Sequence, residues 1–440
     1  MEATMSATLT QSSTQIIRPA KNILGSLRLP GDKSISHRYA MLAGLAEGTT
    51  KLANFSTGAD CASSLGCVEA LGARVVRKGD GEVDVTGVAG AFQPVAAPLD
   101  CGNSGSTMRM MSGLLAPHPH TFILTGDESL SRRPMERIRK PLTAMGARIE
   151  LTDGHAPITI HGGPLAGVDY ATPMASAQVK TALLFAGFQA SGTTTVHESI
   201  PTRDHGELAL RSFGIELARS SGRIEVKGGQ RLKAIKATVP GDMSSAAFFL
   251  CAAVLFPDSN LVLDQIGMNP TRAALLDVLT GLGAAFKVLN LEEQNGELVG
   301  TIQVRPPTDG LLGATLSGAQ SAQLIDELPV LAAIAPYSRN GIRIRDAKEL
   351  RVKESDRIAL VAQNLRSMGA EVTESEDGLD VPGGQHLHGA EIDSGGDHRI
   401  AMAFSVAALR ASGESRIHGA DAAAISFPEF YTLLDSICER

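Results

Sequence analysis

Apolar residues recur at helical spacing in stretches that end on a glycine, and a short β-type run follows each one. The phrases are Ala70-Leu-Gly-Ala-Arg-Val-Val76, Ala144-Met-Gly-Ala-Arg-Ile-Glu150, Ser212-Phe-Gly-Ile-Glu-Leu217, Gly281-Leu-Gly-Ala-Ala-Phe286 and Ser367-Met-Gly-Ala-Glu-Val372. Their glycines, Gly72, Gly146, Gly214, Gly283 and Gly369, stand 68 to 86 residues apart. Glycine is the residue that takes the left-handed conformation just past a helix, and Val, Ile or Phe after it starts a strand. The pattern predicts a duplicated α/β unit. A sixth copy is expected in helix 430–437, its strand supplied by residues 23–29.

A second echo divides the chain. Pro30-Gly-Asp-Lys-Ser34 returns as Pro240-Gly-Asp-Met-Ser244, and each follows a strand-like segment and opens an apolar helix. Taken as equivalent points, they predict one domain over 32–240 and a discontinuous one over 1–31 plus 241–440, three units in each. Two crossovers between two lobes imply a hinge with a cleft beside it. Residues 1–15 are rich in Ser and Thr and hold neither Lys nor Arg nor an apolar stretch. They are expected to form a disordered tail and not a secretory signal.

Composition narrows the function. The chain of 440 residues has a net charge of −7, 4% aromatic residues and no Trp, which argues against a nucleic-acid partner. Its longest apolar run, 246–256, falls well short of the ~20 residues that span a bilayer. Cys61, Cys67, Cys101, Cys251 and Cys438 show no zinc spacing and read as reduced thiols of a cytoplasmic protein.

Against that acidic balance, cations gather at predicted helix starts. Pro30-Gly-Asp-Lys-Ser-Ile-Ser-His-Arg38 places Lys33 and two hydroxyls where a helix N-terminus favours an anion, with Ser34 and Arg38 on one face. Asp100-Cys-Gly-Asn-Ser-Gly-Ser-Thr-Met-Arg109 is a small-residue loop able to present backbone N–H groups. Gly126-Asp-Glu-Ser-Leu-Ser-Arg-Arg-Pro134 sets two arginines in a loop, and Ser176, Gln178 and Lys180 open another apolar helix. Leu350-Arg-Val-Lys-Glu-Ser-Asp-Arg357 puts Lys353 and Arg357 four apart on a predicted helical face. Asp393-Ser-Gly-Gly-Asp-His-Arg399 brings His398 and Arg399 to the start of one more helix. Should these starts face one cleft, Lys33, Arg38, Arg133, Lys353, Arg357 and Arg399 would surround a polyanion. Asp326, set in Leu-Ile-Asp-Glu-Leu-Pro329, and Glu354 then become acid–base candidates.

In this order the segments resemble the enolpyruvyl transferase family from Pro30 to Pro428, specifically its branch that acts on shikimate 3-phosphate. The most specific matches are Pro-Gly-Asp-Lys-Ser-Ile-Ser-His-Arg38, Gly-Asn-Ser-Gly-Ser-Thr-Met-Arg109, Arg-Val-Lys-Glu-Ser-Asp-Arg357 and Gly-Asp-His-Arg399. The resemblance implies an α/β (α+β) fold, a two-lobed inside-out barrel of six βαβαββ repeats, three per lobe. It implies transfer of the enolpyruvyl group of phosphoenolpyruvate to the 5-hydroxyl of shikimate 3-phosphate, a step toward chorismate and aromatic amino acids. No metal or organic cofactor, nucleic acid or membrane is implied, and a cytoplasmic monomer is expected. Carried over by motif, Lys33 touches both substrates, Ser34 and Arg38 hold shikimate 3-phosphate, and Ser176, Ala177 and Gln178 contact it. Gly105, Arg133, Arg357 and Arg399 grip phosphoenolpyruvate, and Asn103, Arg203 and His398 are further substrate-binding residues. Asp326 accepts the hydroxyl proton, and Glu354 with Lys353 protonates the methylene carbon. Where some members carry a Lys near Ile425 this chain has none, and Lys180 is the substitute considered. The rival within the family acts on a UDP-amino sugar and carries a reactive Cys in a mobile loop. Further rivals are a non-catalytic polyanion binder and an RNA-end-processing relative with a catalytic His.

Overall fold

The computed structural model describes residues 13–440. Each of the five flagged glycines ends a helix with a left-handed φ: 103° at Gly72, 101° at Gly146, 90° at Gly214, 101° at Gly283 and 88° at Gly369. Each helix is followed by a strand, Arg74–Gly79, Arg148–Thr152, Leu217–Ser220, Ala285–Gln294 and Thr373–Ser375.

The sheets repeat one order. Leu99–Asp100 runs parallel to Thr121–Thr125, which pairs antiparallel with His155–His161, which pairs antiparallel with Arg148–Thr152. Asp169–Ala171, Thr193–His197, Arg223–Lys227 and Leu217–Ser220 follow the same order. So do Ala314–Leu316, Ile342–Ile344, Gly378–Val381 and Thr373–Ser375. Six sheets occur among the described residues, and they lie outside the helices they cover. Met243–Ala253 and His398–Ala408 are apolar around nearly their whole circumference and buried to match, the mark of a helix inside a core. This is a two-lobed inside-out barrel, helices within and sheets without.

One hydrophobic core is built from residues between Ile35 and Val239; the other joins residues 17–29 to residues 243–437. The crossovers explain how. Asn22–Arg28 lies parallel to Asn260–Gly267 in the second core before the chain passes to helix Lys33–Leu45 in the first. Lys236–Thr238 lies parallel to Thr49–Ala53 in the first core before the chain passes to helix Met243–Ala253 in the second. The two Pro-Gly-Asp turns meet back to back, Asp32 N donating to Pro240 O at 2.7 Å and Asp242 N to Pro30 O at 3.1 Å. Gly31 is required there, since a Cβ would stand 1.8 Å from Asn54 O.

The sixth unit corrects two expectations. Helix Phe430–Ile437 is present, but its sheet is completed by Thr14–Ile17, antiparallel to Ser415–His418. Asn22–Arg28 belongs to the neighbouring sheet, where it pairs with Asn260–Gly267 on one side and with the short Cys438–Glu439 strand that follows the helix on the other. Residues 14 and 15, assigned by composition to a disordered tail, are therefore ordered as sheet, and Ser13 Oγ beside them accepts from Asp421 N at 2.8 Å; the rest of that expectation, over 1–12, lies outside the described residues. Ile17 is buried, and four residues of sheet pairing fix a segment that its own composition leaves unmarked.

Candidate active site

Helix N-termini from both cores converge on one cleft of about 390 Å³. Lys33–Leu45 is capped by Asp32, Gly105–Leu115 by Ser104, Ala177–Gly187 by Ser176, Arg357–Ser367 by Asp356 and His398–Ala408 by Asp397. A capping oxygen takes one of the free N–H groups at each start, and the remaining positive end of the helix dipole faces the cleft. The first-turn residues Lys33, Ser34, Gly105, Ser106, Ala177, Gln178, Arg357, His398 and Arg399 line it.

Two carboxylates stand among the cations. Asp326 Oδ2 takes Arg203 Nη2 at 2.8 Å, and its Oδ1 faces Lys353 at 3.8 Å, Arg357 at 3.7 Å and Arg399 at 3.9 Å. Burial pushes the Asp326 carboxyl up, but Arg399, Lys353, Arg203 and Arg357 outweigh it and hold the group well below the ordinary carboxylate range. Glu354 takes Arg357 Nη2 at 2.6 Å and Arg133 Nη1 at 3.3 Å. Burial is again overcome, here chiefly by Arg357 and Arg133, and Glu354 also lies well below its usual range. Burial lowers Lys353, with Asp326 opposing it. Burial and the neighbouring Lys33 push His398 down to about 3, so this ring is neutral at neutral pH. Burial, then Arg137 and Arg133, pull Arg109 down to about 9, the signature of cations short of counter-charge. Arg38 Nε, Arg133 Nε and Arg357 Nη1 are buried without a hydrogen-bond partner. Such a wall favours a ligand with several negative charges.

Pairs bridge the two cores across the cleft: Arg203 with Asp326, Arg133 with Glu354, Arg137 with Glu349 at 2.8 Å, and Ser129 Oγ with Glu354 O at 3.5 Å. Gln178 is fixed from both ends, its Oε1 accepting from Arg109 at 2.8 Å and its Nε2 donating to Ser106 Oγ at 2.9 Å.

The structure brings Lys33, Ser34, Arg38, Gly105, Arg133, Ser176, Ala177, Gln178, Arg203, Asp326, Lys353, Glu354, Arg357, His398 and Arg399 to this cleft. Asn103 stands behind the wall, its Oδ1 accepting from Arg133 Nη2 at 2.7 Å, so it orients that arginine. Lys353 and Arg357 do not share a helical face: Asp356 caps the helix, which begins at Arg357, and Lys353 follows the short 3₁₀ turn Lys348–Val352. Lys180 is no substitute cation. It is fully buried outside the cleft lining, held by Glu198 at 3.0 Å and Glu207 at 2.8 Å. Ile425 lines a separate surface depression. Sequence reasoning missed Asp60, Arg137, Thr271 and Arg272, all in the wall. Arg272 precedes the apolar run 273–276, and a cation before an apolar helix is the signal that exposed the others.

This two-lobed inside-out α/β barrel, with two carboxylates in a cationic cleft, agrees with the enolpyruvyl transferase resemblance of the sequence motifs. A family profile for EPSP synthase (3-phosphoshikimate 1-carboxyvinyltransferase) matches residues 17–434. A 3-phosphoshikimate 1-carboxyvinyltransferase of Koribacter versatilis (strain Ellin345) is 63% identical over 96% of this chain and 99% of that protein. Another from Solibacter usitatus (strain Ellin6076) is 53% identical with the same coverage. The 2.37 Å structure of EPSP synthase from Acinetobacter baumannii superposes with a TM-score of 0.85 at 40% identity, covering 97% of this chain and 98% of that one. The chain belongs to the EPSP synthase family.

Proposed function

We propose that this enzyme transfers the enolpyruvyl group of phosphoenolpyruvate to the 5-hydroxyl of shikimate 3-phosphate and releases phosphate, a reaction in keeping with relatives named 3-phosphoshikimate 1-carboxyvinyltransferase. The observation that carries this reading is the pair Asp326 and Glu354 inside a wall of cations contributed by both cores. Lys33 reaches both substrates. Ser34, Arg38, Ser176, Ala177, Gln178 and Arg203 hold shikimate 3-phosphate, and Gly105, Arg133, Arg357 and Arg399 hold phosphoenolpyruvate, with His398 beside them and Asn103 behind Arg133.

Asp326 accepts the 5-hydroxyl proton while that oxygen attacks C2, and Glu354 with Lys353 delivers a proton to the methylene carbon. The resulting tetrahedral adduct loses phosphate, and the methyl carbon returns a proton as the double bond re-forms. In the ligand-free cleft both carboxylates are held too acidic for proton exchange near neutral pH. Binding two polyanions neutralises the same arginines, which raises both carboxyls toward useful values. Preorganised cations then stabilise the charge that moves onto the leaving phosphate.

The division near residues 31 and 240 lets the two cores close on the substrates. The same reading takes the enzyme as a cytoplasmic monomer, and four of the five thiols are buried, which suits a reducing compartment. A UDP-amino sugar acceptor is disfavoured: no cysteine lines the cleft, burial raises Cys61 and Cys251, and a Cys67 contact and burial raise Cys101. The test is phosphate release from phosphoenolpyruvate with shikimate 3-phosphate and, separately, with a UDP-amino sugar. Turnover only with the first acceptor is expected, and turnover only with the second overturns the reading.

A further inference from the structure

Arg272 occupies the point where the two crossovers meet, and its guanidinium is used from both ends. Nη2 donates to Asp242 Oδ1 at 3.0 Å, lies 3.7 Å from Asp32 Oδ2 and donates to Ser244 Oγ, which in turn donates to Glu327. Nη1 donates to Ser34 Oγ at 3.4 Å. The other oxygen of Asp242 accepts the Lys33 backbone N–H at 3.2 Å. Asp32 and Asp242 are the caps of the two equivalent helices, one from each core, and both are buried. Two buried carboxylates this close are tolerable only around a shared cation, and Arg272, itself 7% exposed, supplies it.

We propose that Arg272 is a positioning residue for shikimate 3-phosphate: by bridging the two crossover aspartates it fixes the Lys33 backbone and the Ser34 hydroxyl that receive this substrate. The inference rests on the substrate assignment of Lys33 and Ser34 given above. Only a forked cation can serve, because Ser34 and Asp242 are met by different nitrogens. Lys in its place keeps the charge between the aspartates but lacks the two separated nitrogens of the fork, so the Ser34 and Asp242 contacts are not both kept at their present geometry. Burial pushes the Asp32 carboxyl up, and Arg272, His205 and the Ile35 backbone N–H together outweigh it, Arg272 being the largest of the three.

The test is steady-state kinetics of Arg272→Lys, Ser34→Ala and the double variant, with KM measured for each substrate, and thermal melting of all three. Arg272→Lys is expected to raise KM for shikimate 3-phosphate about tenfold, on the scale of a lost hydrogen bond to a charged group. KM for phosphoenolpyruvate should rise less than KM for shikimate 3-phosphate, since Lys33 also reaches that substrate, and the melting temperature should fall by no more than it does in Ser34→Ala. Ser34→Ala should raise the same KM, and adding Arg272→Lys to it should do much less than in wild type, because the two act on one contact. If Ser34→Ala raises KM for shikimate 3-phosphate and Arg272→Lys does not, the positioning role is overturned while the substrate assignment stands. An unchanged KM in Ser34→Ala overturns that assignment and the inference with it. A parallel change of both KM values, kcat and melting temperature in Arg272→Lys reduces the residue to a structural clamp and also overturns the proposal.

Discussion

Replacing Asp326 by Asn removes one negative charge from the centre of four cations while keeping the side chain's shape. If Asp326 is the base, turnover should fall about 10²–10⁴-fold, the usual range for losing a positioned proton acceptor. Affinity for shikimate 3-phosphate should move the other way. At ~6 Å and an effective dielectric of ~20, a carboxylate repels one negative charge of the ligand by about 3 kcal/mol before salt screening. Arg203, now 2.8 Å from Asp326, also becomes available to the ligand. Asp326→Asn should thus bind shikimate 3-phosphate at least as tightly as wild type. Stability should respond with a definite sign. The folded carboxyl lies well below its ordinary value, so its stabilising contribution is present above the unfolded pKa of about 3.9 and is lost as pH falls through the folded value. The variant should therefore be less stable near neutral pH, with the gap narrowing in acid. Calorimetric titration with shikimate 3-phosphate and a phosphate-release assay separate the two effects, since the chain has no Trp to report binding by fluorescence. Wild-type turnover would remove Asp326 from the mechanism. Equal losses of binding and turnover would make it a substrate ligand and not a base.

His398, pushed down to about 3, takes up its proton well below a free histidine, so its share of stability is full above about 6.5 and declines as pH falls toward 3. In proton NMR its ring should show no titration between pH 5 and 8, and a midpoint near 6.5 would contradict the burial that sets it. Lys180→Met leaves Glu198 and Glu207 buried without their cation and should cost about 3–5 kcal/mol in denaturant unfolding; a neutral result would mean that the pair is held by other groups. Saturating shikimate 3-phosphate should reduce the radius of gyration in small-angle scattering, because the ligand's anions bind cations of both cores that repel one another when free, and an unchanged profile would argue against a hinge. Gly105→Ala would place a methyl 2.9 Å from Arg109 Nη1 and 3.4 Å from Arg133 Nη1, narrowing the wall assigned to phosphoenolpyruvate. Glyphosate, tried as a longer anion against that wall, should lose more affinity than phosphoenolpyruvate, and equal inhibition constants in wild type and variant would show that Gly105 does not shape the site.

What the sequence disclosed was decided within a few residues, and what it concealed was decided across the molecule. Gly72, Gly146, Gly214, Gly283 and Gly369 were legible because a helix end that turns through a left-handed φ favours glycine wherever the chain goes next. The site was legible for a related reason: a cation beside a helix start opposes the dipole, so Lys33, Arg357 and Arg399 announced an anion before any partner was known. Lys353 was misplaced on a helix because Asp356 can read as one more helical charge or as a cap, and only the backbone chooses. Thr14–Ile17 was hidden because the strand that orders it lies some 400 residues away. Lys180 and Arg272 mark the boundary most sharply. Both are buried cations near the start of an apolar run, yet one is neutralised by Glu198 and Glu207 outside the cleft wall, while the other ties two crossover aspartates to Ser34. The local sequence of a buried cation reveals that it needs a counter-charge; whether a protein carboxylate or a substrate supplies it is set by which elements the fold brings alongside.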